Sequence, residues 1–133
     1  MESFCASWAL IDADSDNFDM YMKAVDVSSF MRKAAGASKP DVIISKDGDV
    51  IKIRSESTFK NHEICFKLGE EFDEETADGR KTKTNVTLEN NVLVQLQKWK
   101  GKESTIKREI KDDQMVTTCI AGDITAKRTY KKK

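Results

Sequence analysis

Turn signals constrain this fold more than any other feature, because they recur about every ten residues from residue 41 onward. Glycine, asparagine and aspartate favour tight turns since they tolerate backbone conformations that other residues avoid. The signals are Asp47-Gly48, Leu68-Gly69, Asp78-Gly79, Asn90-Asn91, Gly101, Asp112-Asp113 and Gly122-Asp123. The segments between them are long enough only for short strands, so the sequence predicts an antiparallel meander.

Side-chain alternation within these segments supports a sheet with one face turned inward. Ile64 and Phe66 fall on one face, and Thr82, Thr84 and Val86 do the same in a later segment. Evenly spaced short strands favour closure over a flat sheet with two exposed edges. We therefore predict an all-β, antiparallel up-and-down barrel or clam.

The stretch before these strands follows a helical period. A first helix is predicted by an N-terminal cap at Asp16/Asn17 followed by apolar residues at helical spacing. A second helix is predicted to begin at Ser28/Ser29 and to end at Gly36. The first apolar set is Phe18, Tyr21, Met22 and Val25. We predict a helix-turn-helix over about residues 16–37, placed after one strand and before about nine more, in a single domain spanning residues 1–133.

Two arginines occupy positions where a sheet normally places apolar side chains. In residues 124–131, alternation groups Arg128 and Tyr130 with Ile124 on the face opposite the lysines, and Arg108 is flanked on its own face by two isoleucines. A buried guanidinium needs a partner, because burying an unpaired charge is costly. The residues alone leave a bound ligand and a structural network with Asp or Glu about equally favoured.

The other inward positions are also polar for a small barrel. Gln95 and Gln97 share a face with Leu93, and Thr117 lies beside Cys119. A filled core would be more apolar, so this mixture predicts a partly hydrated cavity around one amphiphilic ligand.

Composition narrows the class of protein. The 23 basic and 23 acidic side chains cancel, which removes any general attraction to nucleic acid. The N-terminus lacks the basic and apolar regions of a signal peptide, and three cysteines form an odd number without metal-type spacing. We expect an intracellular protein with reduced thiols.

Several sequence blocks, in order along nearly the whole chain, carry a family resemblance. They are Asn17-Phe18-Asp19-x-Tyr21-Met22-Lys23, Gly48-Asp49-Val50-Ile51-x-Ile53, Ser55-Glu56-Ser57-Thr58-Phe59-Lys60-Asn61, Leu68-Gly69-Glu70-Glu71-Phe72-Asp73-Glu74, Thr76-Ala77-Asp78-x-Arg80, Val94-x-x-Gln97-Lys98-Trp99 and Arg128-Thr129-Tyr130. With these blocks the chain resembles the intracellular lipid-binding proteins, and within them the fatty-acid-binding branch of heart, adipocyte, myelin and brain types.

The resemblance implies a ten-stranded, lipocalin-like β-clam of the calycin class, capped by two helices. It implies a monomeric carrier without a cofactor that holds a long-chain fatty acid in its cavity. The family's carboxylate-binding positions fall on Arg108, Arg128 and Tyr130. Retinol binders of the wider family carry Gln at the position of Arg108, so an anionic head group is expected.

Matching positions also imply the rest of the site. Phe59 corresponds to the family's portal aromatic residue, and Asp78 and Arg80 correspond to polar cavity residues. The residues expected to contact the acyl tail are Phe18, Tyr21, Met22, Ala35, Pro40, Ala77, Ile106, Thr117 and Cys119.

Basic residues of the predicted helices suggest where the protein meets its surroundings. Lys23, Arg32 and Lys33 are most simply a solvated face, but a basic patch at a portal also attracts anionic membranes. We expect a cytoplasmic protein. In some relatives the matching positions act as a nuclear import signal, so the presence of part of the protein in the nucleus is a further hypothesis. The only histidine, His62, lies in a polar stretch and is expected at the surface.

Three other functions are alternatives to fatty-acid carriage. An enzyme is disfavoured because the sequence shows no nucleophile–base set, phosphate loop or metal spacing. A nucleic-acid-binding barrel is disfavoured by the balanced charge and inward-facing basic groups. A carrier of retinoic acid or another hydrophobic carboxylate is the nearest alternative, because its head-group site resembles this one.

Overall fold

The chain folds into ten strands and two helices, as seen in a computed structural model that describes residues 1–58, 60–76 and 79–133. After a 3-10 turn at Glu2–Phe4, the elements are β1 (Ala6–Ala13), α1 (Ser15–Ala24), α2 (Ser29–Ala37), β2 (Asp41–Asp47), β3 (Val50–Glu56), β4 (His62–Phe66), β5 (Phe72–Glu75), β6 (Lys81–Glu89), β7 (Val92–Trp99), β8 (Lys102–Lys111), β9 (Gln114–Ala121) and β10 (Ile124–Lys132). The predicted order, one strand, two helices and nine strands, is confirmed.

All ten strands belong to one antiparallel sheet that curls into a nearly closed barrel. Their order is β4-β3-β2-β1-β10-β9-β8-β7-β6-β5, so the first and last strands of the chain lie side by side. Within the described ranges, no backbone ladder joins β4 to β5, which stand at the two ends of the order. The barrel therefore has a seam between these two short strands.

The predicted turns that the structure describes connect the strands, and their backbone explains the residues found there. Asp78 of the predicted Asp78-Gly79 turn lies outside the described residues. Asn90 and Asn91 have φ values of 51° and 66°, which is the left-handed pair that a tight hairpin between β6 and β7 requires. Asn reaches this region more easily than most side chains because its short amide can bond locally. The turn signals of the sequence thus set the register of the hairpins.

The two helices form a hairpin fixed by caps and by one arginine. Asp14 caps α1, which places its start before the predicted Asp16/Asn17 cap, and Ser28 caps α2 as expected. Arg32 on α2 forms an ion pair with Asp19 on α1 at 3.1 Å and donates to the Val27 carbonyl at 2.8 Å. Its side chain therefore holds the helices together.

Buried apolar residues form two separate clusters rather than one continuous core. One cluster is centred on Trp8, Leu93 and Met115 in the strands. The other packs the helices, through Met22 and Val25, against the sheet. The separation leaves the middle of the barrel to the cavity described below.

The strand cluster should carry much of the stability. Leu93 is fully buried, so we expect Leu93→Ala to lower the free energy of unfolding by about 3 kcal/mol, through lost burial and a residual void. Leu68→Ala, at an exposed turn, serves as the matched control and should change it by less than about 0.5 kcal/mol. Urea unfolding followed by tryptophan fluorescence measures both. Equal losses in the two variants would contradict the assignment of Leu93 to the core.

Candidate functional site

A cavity of about 250 Å³ lies inside the barrel beneath the helices. Every predicted site residue that the structure describes lines it, and these are Phe18, Tyr21, Met22, Ala35, Pro40, Arg80, Ile106, Arg108, Thr117, Cys119, Arg128 and Tyr130. The predicted Phe59, Ala77 and Asp78 lie outside the described residues. The structure thus brings twelve side chains from distant parts of the sequence to the lining of one cavity, while their contact with a ligand stays a prediction.

Arg128 and Tyr130 are both buried on the inner face of β10. The Arg128 Nε donates a hydrogen bond to the Tyr130 hydroxyl at 3.3 Å. The guanidinium carbon lies 4.2 Å from the centre of the Phe18 ring, a cation–π contact that joins α1 to the strand. Phe18 in turn stacks on Tyr21 with 6.2 Å between ring centres. The first helix is therefore packed directly on the candidate head-group site.

Arg108 enters the cavity from β8. Its Nη1 donates to the Gln95 side-chain oxygen at 2.8 Å. The residue is half-buried because part of its surface borders the cavity. Burial lowers the pKa of the Arg108 guanidinium from its ordinary value, and this shift is opposed by nearby Cys119, Tyr130 and Glu74. An arginine nevertheless stays cationic at neutral pH, so the cavity carries fixed positive charge.

A buried carboxylate, Glu74, anchors the amides behind Arg108. It accepts hydrogen bonds from Thr84 at 2.8 Å, from Gln97 at 3.0 Å and from Gln95 at 3.0 Å. Because the Gln95 amide nitrogen is occupied by Glu74, its oxygen is turned to Arg108. Glu74 is not among the site residues predicted from the sequence. Its alternation with Phe72 on β5 would have predicted an inward side chain.

His62 is the clearest correction to the sequence analysis. It was expected at the surface, but it is half-buried at the start of β4 and lines the cavity, with its Nε2 enclosed. The expectation of a surface position was based on the polar residues next to it in the sequence. Alternation with Ile64 and Phe66, the second of which is buried, would have turned the ring inward.

Cys119 lies on the cavity wall and is buried. Burial raises the pKa of the thiol, while the charges of Arg108 and Arg128 partly oppose that rise. The thiol is therefore neutral at physiological pH and acts as a small apolar group.

The described residues offer neither a metal site nor a membrane-spanning helix. No group of three or more His, Cys, Asp or Glu side chains in those ranges is arranged to hold a metal ion. The described helices also include none that is long and apolar enough to cross a membrane.

A model of the lipocalin / cytosolic fatty-acid binding protein family matches residues 7–133. The chain belongs to this family. It is 50% identical over 131 residues to the adipocyte fatty acid-binding protein of Pygoscelis papua, covering 98% of each sequence. The branch of the family expected from the sequence motifs is thereby confirmed.

Solved structures of fatty-acid-binding proteins share the fold over nearly their whole length. Fatty-acid-binding protein 1 of Echinococcus granulosus has a TM-score of 0.95 at 35% identity, covering 99% of this chain and 98% of that one. The Schistosoma mansoni protein in complex with arachidonic acid has a TM-score of 0.94 at 41% identity, covering 100% and 98%. The family consists of fatty-acid carriers that bind their ligand without a cofactor, and it groups this chain with binding proteins rather than enzymes.

Thiol reactivity tests the environment of Cys119. We expect an alkylating reagent at pH 8 to modify the exposed Cys65 well before Cys119, because burial raises the Cys119 pKa and blocks access. Mass spectrometry of digested samples over time measures both rates. Cys65→Ser is the control, since it should leave the slow phase unchanged. Fast labelling of Cys119 would show that the cavity wall is open.

Proposed function

We propose that this chain is a carrier that reversibly binds long-chain fatty acids in its cavity, with the carboxylate held by Arg108, Arg128 and Tyr130. The whole of residues 1–133 would act as one binding unit, monomeric and without a nucleic-acid partner. Fatty-acid carriage by the family supports the ligand class. The choice of these three residues rests on the charge of the cavity.

One observation carries this assignment: within residues 1–58, 60–76 and 79–133, neither the Arg108 nor the Arg128 guanidinium, both of which border the cavity, is paired with an acidic side chain. Among the described residues, Arg108 and Arg128 donate to Gln95 and Tyr130, which are neutral. The nearby carboxylate of Glu74 is bonded to neutral Thr84 and Gln groups. A bound carboxylate would supply the missing charge, and arginine and phenol donors suit its oxygens.

The apolar wall suits an acyl chain. Each buried methylene contributes about 0.8 kcal/mol, so the tail would supply most of the affinity and the arginines would set its orientation. The tail contacts proposed are Phe18, Tyr21, Met22, Ala35, Pro40, Ile106 and Cys119, with Ala77 and the portal residue Phe59 outside the described ranges.

Two further polar residues belong to the proposed site. Arg80 lines the cavity with its guanidinium carbon 4.6 Å from the centre of the Trp99 ring. Its sequence neighbour Asp78 lies outside the described residues. The proposal assigns both to the polar part of the cavity wall.

Competitive displacement of a fluorescent fatty-acid probe tests the ligand class. With delipidated protein, we expect oleate to compete near equimolar concentration and retinol to fail, because an alcohol cannot neutralise the guanidiniums. Arg128→Gln should weaken oleate binding at least about tenfold through the lost charge-assisted bonds. Lys127→Gln, the next residue on the exposed face of β10, is the matched control and should leave binding unchanged.

Each contrary outcome has a definite meaning. Unchanged oleate affinity in Arg128→Gln would reject the head-group assignment. Stronger competition by retinoic acid than by oleate would favour the alternative, a carrier of retinoic acid or another hydrophobic carboxylate.

We also propose transient contact with anionic membranes through the helices. Lys23 and Lys33 are exposed, and Phe30 on α2 is 79% exposed although large and apolar. Arg32 is engaged between the helices, so its role in such contact would be smaller. Cytoplasmic location is supported by the family's description as cytosolic, and a nuclear fraction directed by Lys23, Arg32 and Lys33 remains a hypothesis.

Transfer of a fluorescent fatty acid to vesicles containing phosphatidylserine tests this contact. Lys23→Glu/Lys33→Glu should slow transfer at least about tenfold, because each lysine near an anionic surface contributes about 1 kcal/mol. Lys111→Glu/Lys131→Glu, exposed residues away from the helices, form the matched control. Equal slowing by both pairs would indicate a general charge effect and contradict a helical docking face.

A further inference from the structure

Thr117 lies between the two cavity arginines. It is the residue of β9 that pairs with Arg108 on β8 and with Arg128 on β10. All three side chains line the cavity. Directly opposite residues on neighbouring antiparallel strands have Cβ atoms about 5 Å apart, so the three form one row across the barrel wall.

The Thr117 hydroxyl has no hydrogen-bond partner within the described part of the protein. The residue is buried, and its Oγ1 is enclosed. Its neighbours on the same face of β9, Met115 and Cys119, offer only weakly polar sulfur. A buried hydroxyl without a partner is destabilising, so its partner is expected to come from the cavity that it faces.

The two arginines beside Thr117 indicate which kind of group would bond its hydroxyl. Guanidinium groups only donate hydrogen bonds, and each has five N–H groups. In the part of the chain that the structure describes, one N–H of Arg108 is used by Gln95 and one of Arg128 by Tyr130. A group held over Thr117 is thus surrounded by donors on both sides. A carboxylate has two oxygens and about four lone-pair sites, whereas a water molecule accepts only two bonds.

We propose that the Thr117 hydroxyl donates a hydrogen bond to the ligand carboxylate and is a head-group residue rather than a contact of the acyl tail. The inference rests on the proposed fatty-acid site and extends it to a fourth residue beside Arg108, Arg128 and Tyr130. The family resemblance implied a tail contact for Thr117, and its position between Arg108 and Arg128 changes that assignment.

Two substitutions separate these roles because they change opposite parts of the side chain. Thr117→Val keeps the shape and removes the hydroxyl, whereas Thr117→Ser keeps the hydroxyl and removes a methyl group. A head-group role predicts that Val weakens oleate binding about tenfold and that Ser changes it less than twofold. A tail role predicts that Thr117→Val leaves oleate affinity unchanged or raises it, because the tail gains apolar contact, and that Thr117→Ser weakens binding through the lost methyl group.

The measurement is oleate affinity by titration calorimetry on delipidated protein. Thr118→Val is the matched control, since the neighbouring hydroxyl lies on the outer face of the same strand, opposite Lys107 and Lys127, and its loss should leave affinity unchanged. Circular dichroism checks that every variant is folded. The double variant Thr117→Val/Arg128→Gln should lose less than the product of the two single losses, because both groups hold the same carboxylate.

The outcomes distinguish this inference from the function on which it rests. If Arg128→Gln weakens binding but Thr117→Val does not, the head-group site stands and the role of Thr117 is overturned. If Thr117→Ser is the weaker binder of the pair, Thr117 is a tail contact. If Arg128→Gln itself has no effect, the proposed head-group site is wrong and the inference fails with it.

Discussion

Two arginines inside a small barrel are the constraint on which the rest of this structure depends. Moving a guanidinium out of water is costly unless hydrogen bonds and a compensating charge replace the lost hydration. A tightly packed apolar core could not provide either. The barrel instead has two apolar clusters and a cavity whose wall combines apolar side chains with Arg108 and Arg128, so both guanidiniums border open space.

The cavity walls solvate these charges from two directions. Behind Arg108, Glu74 orients the amide of Gln95, which then presents its oxygen to the guanidinium. On the other side, Arg128 lies between the Tyr130 hydroxyl and the face of Phe18. Among the described residues, the hydrogen-bond partners of both arginines are uncharged groups, which hold the guanidiniums in place without forming an ion pair with them.

The contact of Phe18 with Arg128 also links the helical cap to the candidate head-group site. Phe18 stacks on Tyr21, which belongs to the cluster that packs the helices on the sheet. Phe18 thus belongs both to the packing of α1 and to the immediate surroundings of Arg128.

The sequence by itself determined the strand order, the helical hairpin and the inward face of Arg108, Arg128 and Tyr130. These features depend on local chemistry: turn residues, and side-chain periods of two or 3.6, which act over a few neighbouring positions. Tertiary structure alone decided that Glu74 would meet Gln95 and that Thr117 would stand between two arginines. These relations join residues from different strands, and they follow from register and barrel curvature, which no local pattern encodes.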